Sequence, residues 1–279
     1  MNKANEYFKH DIKNILNNGY MDENPRPKYK DGTPAHTLSV NQVVRTYDLS
    51  KGEYPISTFR QQAWKSAIKE ILWIYQDQSN NLDLLNNKYK VKYWNSWDIG
   101  DRTIGVRYGE TVRRHYNIKN FIEELKDEPF ARRHIIDLYQ VDDFKGPGLN
   151  PCAFLTMWNV RKSNDRMYID MTLVQRSGDM IVASGAGGLN EIQYCAFMLM
   201  ICKATGYLPG VFAHFVQNEQ IYDRHVDLID EILTSEKNEE LPPRLILDTD
   251  ETDFFKFTVD DFTIINYPEL SKIDLELGI

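Results

Sequence analysis

The chain predicts a fold that mixes helices and strands in one large domain or two smaller ones. Three observations predict it. Its 279 residues are 42% apolar and 27% charged, an ordinary globular balance with enough chain to bury a substantial core. Apolar residues recur at helical spacing near 4–18 and 62–76, and a long apolar helix is expected at 190–205. Between and after them lie short β-branched and aromatic runs, the densest at 154–160 and 167–174.

Residues 4–18 place Tyr7, Phe8, Ile12, Ile15 and Leu16 on one helical face, and Gly19 ends the pattern. Residues 20–37 are rich in Pro, Lys and Asp and read as a surface loop, locally basic through Arg26, Lys28 and Lys30. The runs 38–47 and 54–58 read as strands. Residues 62–76 then form a helix that buries Ala67, Ile68, Ile71, Leu72 and Tyr75. Glu70 lies beside that face, the usual place of a solvated rim residue; if buried, its pKa would rise toward neutrality.

A polar segment follows, and then Trp94 and Trp97, which read as core plugs or as the walls of a pocket for a flat ring. Residues 117–127 look helical, and 131–136 open a strand behind Arg132 and Arg133. Paired arginines are commonly surface charge, and equally a natural phosphate clamp. Two central strands surround the turn at 161–166. The stretch 183–188 (Ala-Ser-Gly-Ala-Gly-Gly) reads as a flexible small-residue loop ahead of the long apolar helix at 190–205, which Gly206 stops. A strand at 212–216, a helix running to about 233, a charged turn-rich stretch at 236–243 and strands at 244–247 and 262–267 complete the chain.

Net charge is −8, with no long basic run, which argues against nucleic acid as the main partner. No apolar N-terminal run or membrane-length apolar stretch is present in the sequence, so neither a signal peptide nor a bilayer span is expected. Three cysteines give no paired framework and favour a reducing, cytoplasmic setting. Cys195 and Cys202 sit among large apolar residues and read as inert core thiols. The six histidines lack ligand spacing, so no metal site is expected. The Gly185-Ala186-Gly187-Gly188 run lacks both the Lys-Ser/Thr of a phosphate loop and the glycine spacing of a dinucleotide fingerprint.

Cys152 is different. It follows Pro151 at the start of a predicted strand, and the neighbouring strand ends in Gln175-Arg176-Ser177-Gly178-Asp179. A thiol becomes nucleophilic near neutral pH when a cation stabilises its thiolate. Cys152 with Arg176 is therefore the first chemical expectation, against the ordinary reading of a core cysteine.

The order Arg132-Arg133, Pro151-Cys152, Gln175-Arg176-Ser177-x-Asp179, Asn190-x-x-Gln193-Tyr194, Ile221-Tyr222 resembles the thymidylate synthase family. Glu70-Ile71-Leu72-Trp73, Trp94-x-x-Trp97, Tyr108-Gly109, Asp260-Asp261-Phe262 and the apolar C-terminus fit it too, so the likeness covers nearly the whole chain. Gln-Arg-Ser-x-Asp after a Pro-Cys is highly specific, and segments such as Tyr47-Asp48-Leu49-Ser50-Lys51-Gly52-Glu53 look like the versions in Gram-positive (Firmicute) bacteria.

The resemblance implies a single α+β catalytic domain over 1–279, a large mixed β-sheet flanked by helices, with a sheet face at a homodimer interface. It implies methylation of dUMP to dTMP, with 5,10-methylenetetrahydrofolate as cosubstrate and dihydrofolate as product. Cys152 would add to carbon 6 of uracil, which makes carbon 5 nucleophilic. Arg176 would lower the thiol pKa and bind phosphate with Ser177 and Arg26, while Arg132 and Arg133 would reach the partner subunit's phosphate. Asn190 would read the uracil edge, Glu70 relay protons, Tyr108 help remove the carbon 5 proton and Tyr222 meet the ribose. Asp179 would hold the pterin, Trp94 and Trp97 exclude water, and the carboxylate of Ile279 close as a lid.

Three positions depart from the family pattern. Gln220 stands where a histidine is usual, with weakened ribose contacts expected. The stretch from Asp179 to Asn190 is about three residues longer than usual, and Ser184–Leu189 replaces a Gly-x-Pro-Phe type of sequence. Asp31-Gly32-Thr33 occupies the place of an Arg-Thr-Gly-Thr run, leaving Arg26 as the substitute phosphate ligand. The altered loop keeps two other readings in view: a dUMP hydroxymethylase on the same scaffold, and a weakly catalytic homologue that binds nucleotide or RNA, such as its own mRNA.

Overall fold

Asn2 starts the first helix: its side-chain oxygen accepts from the Ala4 N–H at 3.1 Å. That helix, α1 (Lys3–Asn18), buries Ala4, Phe8, Ile12 and Ile15 as their spacing requires. The computed structural model describes residues 1–237 and 240–279; residues 238 and 239 of the charged stretch at 236–243 lie outside the described residues. The remaining helices are α2 (Trp64–Ile71), α3 (Leu82–Leu84), α4 (Gly109–His115), α5 (Ile118–Asp127), α6 (Leu189–Thr205), α7 (Asp223–Val226) and α8 (Ile229–Thr234). The strands are β1 (Tyr20–Met21), β2 (Thr37–Asp48), β3 (His134–Asp137), β4 (Ala153–Ser163), β5 (Arg166–Gln175), β6 (Gly178–Asp179), β7 (Leu208–Tyr222), β8 (Arg244–Leu247) and β9 (Phe262–Ile265).

The main sheet runs β1-β2-β7-β5-β4-β3, with β6 beside β7, and β8 pairs β9 apart from it. β5 and β6 run parallel to β7 while the other pairs are antiparallel, so the sheet is mixed and the fold is α+β as expected. One face packs under α6, whose residues Glu191–Cys202 are all buried; a helix apolar all round belongs inside a core. Cys195 and Cys202 lie there, and burial drives both thiol pKa values up. Among the described residues, nothing covers the other face. The register lines Val44, Phe215, Val174 and Leu155 across four strands, with Met157 and Ile135 beside them. Val44 is 57% exposed and Ile135 43%, an apolar row unlike a solvated sheet face.

Four expectations change. Residues 54–58 are buried but form no strand, because their backbone groups find other partners. Ile56 O accepts from Asn2 Nδ2, Thr58 N–H donates to Asn5 Oδ1, and Ser57 N–H donates to Gly187 O. The 183–188 stretch is packed rather than loose: residues 184–188 are all buried. A Cβ on Gly187, whose φ is +67°, would come within 2.1 Å of Ser57 N. The predicted 20–37 loop contains β1, and Tyr29 within it is buried. The strand at 212–216 continues through Tyr222, so the following helix starts later, as α7 and α8.

Candidate active site

Cys152 sits where the chain enters β4, half-exposed, with β5 alongside delivering Arg176. The Arg176 guanidinium donates to Pro151 O at 2.9 Å and to Asn150 O at 2.8 Å, so two backbone carbonyls hold it against the loop. The same guanidinium reaches the Cys152 Sγ at 3.4 Å. The expected pair therefore exists. Its electrostatic outcome differs from the expectation: burial raises the Cys152 thiol above its ordinary value, and Arg176 and Arg26 only partly offset that. The thiol rests protonated near neutral pH.

Tyr108 closes one side. Its hydroxyl accepts from the Cys152 N–H at 3.0 Å. Its φ of +47° is rare for a non-glycine residue, and such strain concentrates at functional positions. Gly109 explains the motif: a Cβ there would lie 2.2 Å from Ser79 O. Trp94 packs against Tyr108 and Trp97, each at 5.3 Å between ring centroids, forming an aromatic wall. Glu70 is buried near that wall rather than on a solvated rim. Burial raises its pKa, and the Tyr93 hydroxyl that donates to it pulls the other way. It lies in the last turn of α2, just before a π-helical turn at Leu72–Gln76.

Asn190 lies in the first turn of α6. Its Oδ1 accepts from Ser184 Oγ at 2.8 Å and from Gln175 Nε2 at 3.3 Å, and its Nδ2 donates to Gln193 Oε1 at 3.2 Å. Asp179 caps the next turn through Oδ1, which accepts from the Ile181 and Val182 N–H groups. Its Oδ2 is buried without a partner, and burial raises the carboxyl pKa.

The chain as a whole matches the thymidylate synthase family model over residues 6–279. It is 45% identical to the thymidylate synthase of Streptococcus gordonii and 46% to that of Streptococcus pneumoniae, over 100% of each chain. The chain belongs to the thymidylate synthase family. The thermostable thymidylate synthase A from Bacillus subtilis superposes with a TM-score of 0.88 at 34% identity, covering 99% of both chains.

Against that family, the remaining predicted residues fall into two groups. Ser177, Gln220, Tyr222 and Arg26 lie on the Cys152 side. The Gln220 amide meets the Ser177 hydroxyl at 3.3 Å. Tyr222 is buried, which raises its pKa to about 12, and the Arg26 cation acts on it as on Cys152. The C-terminal Ile279 is seated on the N-terminal loop: its N–H donates to Lys28 O at 3.0 Å, and Lys28 N–H donates back to Ile279 O at 2.9 Å. Arg224 pins the tail by pairing with Glu276 at 2.7 Å and with Asp31 at 2.6 Å. Arg132 and Arg133 form the second group. Both are exposed at the start of edge strand β3, and Arg133 pairs with Glu128. Among the described residues neither hydrogen-bonds any member of the Cys152 group.

Sequence reasoning missed Tyr93, whose hydroxyl donates to Glu70; its only signal was its place beside Trp94. It also missed Arg45, which is fully buried and carries no local motif. Arg45 donates at 2.7 Å to each of Asp11, Glu191 and Glu219, and at 2.8 Å to Ser184 O. His214 joins the cluster through Glu191 at 2.9 Å and Gln175 Oε1 at 3.1 Å. A cleft of about 640 Å³ opens at the start of α2, lined by Gln61, Trp64, Lys65 and Lys272 among others. None of the predicted site residues lines it. Among the described residues no group of His, Cys, Asp and Glu could hold a metal, and no helix is long and apolar enough to cross a membrane.

Proposed function

We propose that this chain, acting as a single catalytic domain in the cytoplasm, converts dUMP to dTMP with 5,10-methylenetetrahydrofolate. The observation that carries the reading is the grip of Arg176 on both the Pro151-Cys152 loop and the Cys152 sulfur. A guanidinium so placed stabilises the thiolate as it forms, and it retains donors for a phosphate. Because burial keeps the thiol protonated at rest, attack on carbon 6 of the uracil ring costs a proton transfer first. Asn190 presents its amide to the pyrimidine edge. Glu70, its pKa raised by burial, is the carboxyl placed to relay protons. Tyr108, fixed by the Cys152 backbone, helps remove the carbon 5 proton: its neutral hydroxyl takes that proton up only as it passes its own to water.

Ser177, Arg26 and Gln220 take the phosphate and sugar, with Tyr222 at the ribose. The folate supplies the one-carbon unit and the hydride. Two features suit it: the unpartnered, buried Asp179 Oδ2 offers an acceptor to a pterin N–H, and Trp94 and Trp97 offer flat faces that exclude water. The seated tail, ending at Ile279 against Lys28, keeps the site covered. A homodimer accounts for the uncovered apolar sheet face. It also accounts for Arg132 and Arg133, which would serve the partner's phosphate.

The test is a turnover assay with dUMP and methylenetetrahydrofolate, following dihydrofolate absorbance. Dihydrofolate appears only when the folate surrenders its hydride, so hydroxymethylation would leave the trace flat. Cys152→Ala should abolish tritium release from carbon-5-labelled dUMP. Full release by that variant would end the covalent mechanism.

A further inference from the structure

We propose that Ser184, in the lengthened connection before α6, is a positioning residue that fixes which end of the Asn190 amide faces the base. The proposal rests on the reading above, in which Asn190 meets the pyrimidine edge. An asparagine amide is a donor at one end and an acceptor at the other, and a half-turn of the side chain exchanges them. Whichever end faces the ring decides whether a carbonyl or an exocyclic amine is accepted there.

Two hydrogen-bonded chains set that choice, and each ends on a backbone carbonyl, which only accepts. The first begins at Ser177 O, which takes a hydrogen from Gln175 Nε2 at 2.9 Å. That contact fixes the Gln175 amide, so its second N–H points to Ser184 Oγ at 2.7 Å. With its oxygen accepting from Gln175, the Ser184 hydroxyl turns its own hydrogen to Asn190 Oδ1 at 2.8 Å. The second chain begins at Ala67 O, which takes a hydrogen from Gln193 Nε2 at 3.3 Å. Gln193 then presents Oε1, which accepts from Asn190 Nδ2 at 3.2 Å. The two chains agree: Oδ1 is held by the protein, and Nδ2 keeps one hydrogen for a ligand.

The far side of Gln175 is held as well. Its Oε1 faces His214 Nε2 at 3.1 Å, and His214 Nδ1 lies 2.9 Å from Glu191 Oε1. Ser184 is itself anchored, since its carbonyl accepts from Arg45 at 2.8 Å and it is 3% exposed. A pinned N–H donor suits the carbonyl at carbon 4 of uracil. The amino group of cytosine would meet it donor against donor, and the buried mismatch disfavours that base.

The test compares dUMP with dCMP on the full-length enzyme. Ser184→Ala removes one oxygen and leaves the packing nearly intact. The expected result is a loss of about ten-fold in the preference for dUMP over dCMP, read as KM for dUMP against the inhibition constant of dCMP. The KM for the folate should stay within about two-fold. Gln193→Met breaks the other chain and should move the same ratio the same way, whichever variant folds better. A ratio unchanged from wild type in the folded variants would overturn the proposal. Wild-type enzyme that produces no dihydrofolate from dUMP would instead overturn the underlying function.

Discussion

Arg45→Met is the most informative single change in the core. The side chain is fully buried and donates to Asp11, Glu191 and Glu219 at 2.7 Å each. Methionine fills similar space without a charge, so the loss is electrostatic rather than a cavity. Breaking a buried ion pair from one side costs about 3–5 kcal/mol, because the remaining charge stays desolvated. Here Asp11 and Glu191 both lose their cation. Glu219, whose pKa is raised to about 7 largely by burial, takes up a proton and softens the third loss. The expected destabilisation at pH 7 is therefore about 3–5 kcal/mol rather than three times that.

The pH dependence follows from Glu191, whose pKa is lowered to about 2 by Arg45 and His214 against its burial. That stabilisation is complete above the ordinary value near 4.5 and disappears as pH falls toward about 2. The variant lacks it, so the gap should be full at pH 7 and about 1.4 kcal/mol smaller near pH 3.5. Urea denaturation followed by circular dichroism, at one protein concentration, measures both. A loss below about 1 kcal/mol, or a gap that ignores pH, would refute the reasoning.

Glu219 gives the opposite sign. Its folded pKa of about 7 lies above the ordinary 4.5, so its contribution is complete below about pH 4.5 and lost as pH rises through 7. Glu219→Gln mimics the protonated form and should gain about 1–3 kcal/mol over wild type between pH 5 and 8; parallel melting curves would contradict this. Glu70→Gln should lower kcat by about 10²–10⁴-fold with little change in the KM for dUMP, and an unaltered kcat would remove Glu70 from the proton path. Arg132→Ala/Arg133→Ala and Cys152→Ala should each be inactive alone. Mixing them after reversible dissociation should restore activity, because one site of each hybrid is then intact; a mixture that stays inactive would mean the arginines do not cross the interface.

The sequence by itself determined the elements with strong local signals. Period-3.6 spacing gave α1 and α2, an unbroken apolar run gave α6, and β-branched runs gave β2, β4, β5 and β7, because each pattern dictates what it must bury. The Pro151-Cys152 and Gln175-Arg176-Ser177 motifs marked the chemistry because residue type and order carry it. Tertiary structure decided what depends on a residue's environment. Residues 54–58 have strand-like composition, yet side chains of α1 and a distant loop satisfy their backbone, so no strand forms. Glu70 looked like a rim residue, but the fold buries it and so raises its pKa. Arg176 does pull the Cys152 pKa down, as expected, but desolvation by the assembled fold outweighs it and Arg26 together. Arg45 carried no local mark, since Asp11 and Glu219 lie 34 and 174 positions away, and the altered stretch at Ser184 gave no sign of which way its hydroxyl points. Hydrogen-bond direction and desolvation are set by what the whole fold brings within about 3 Å, and no window of sequence contains that.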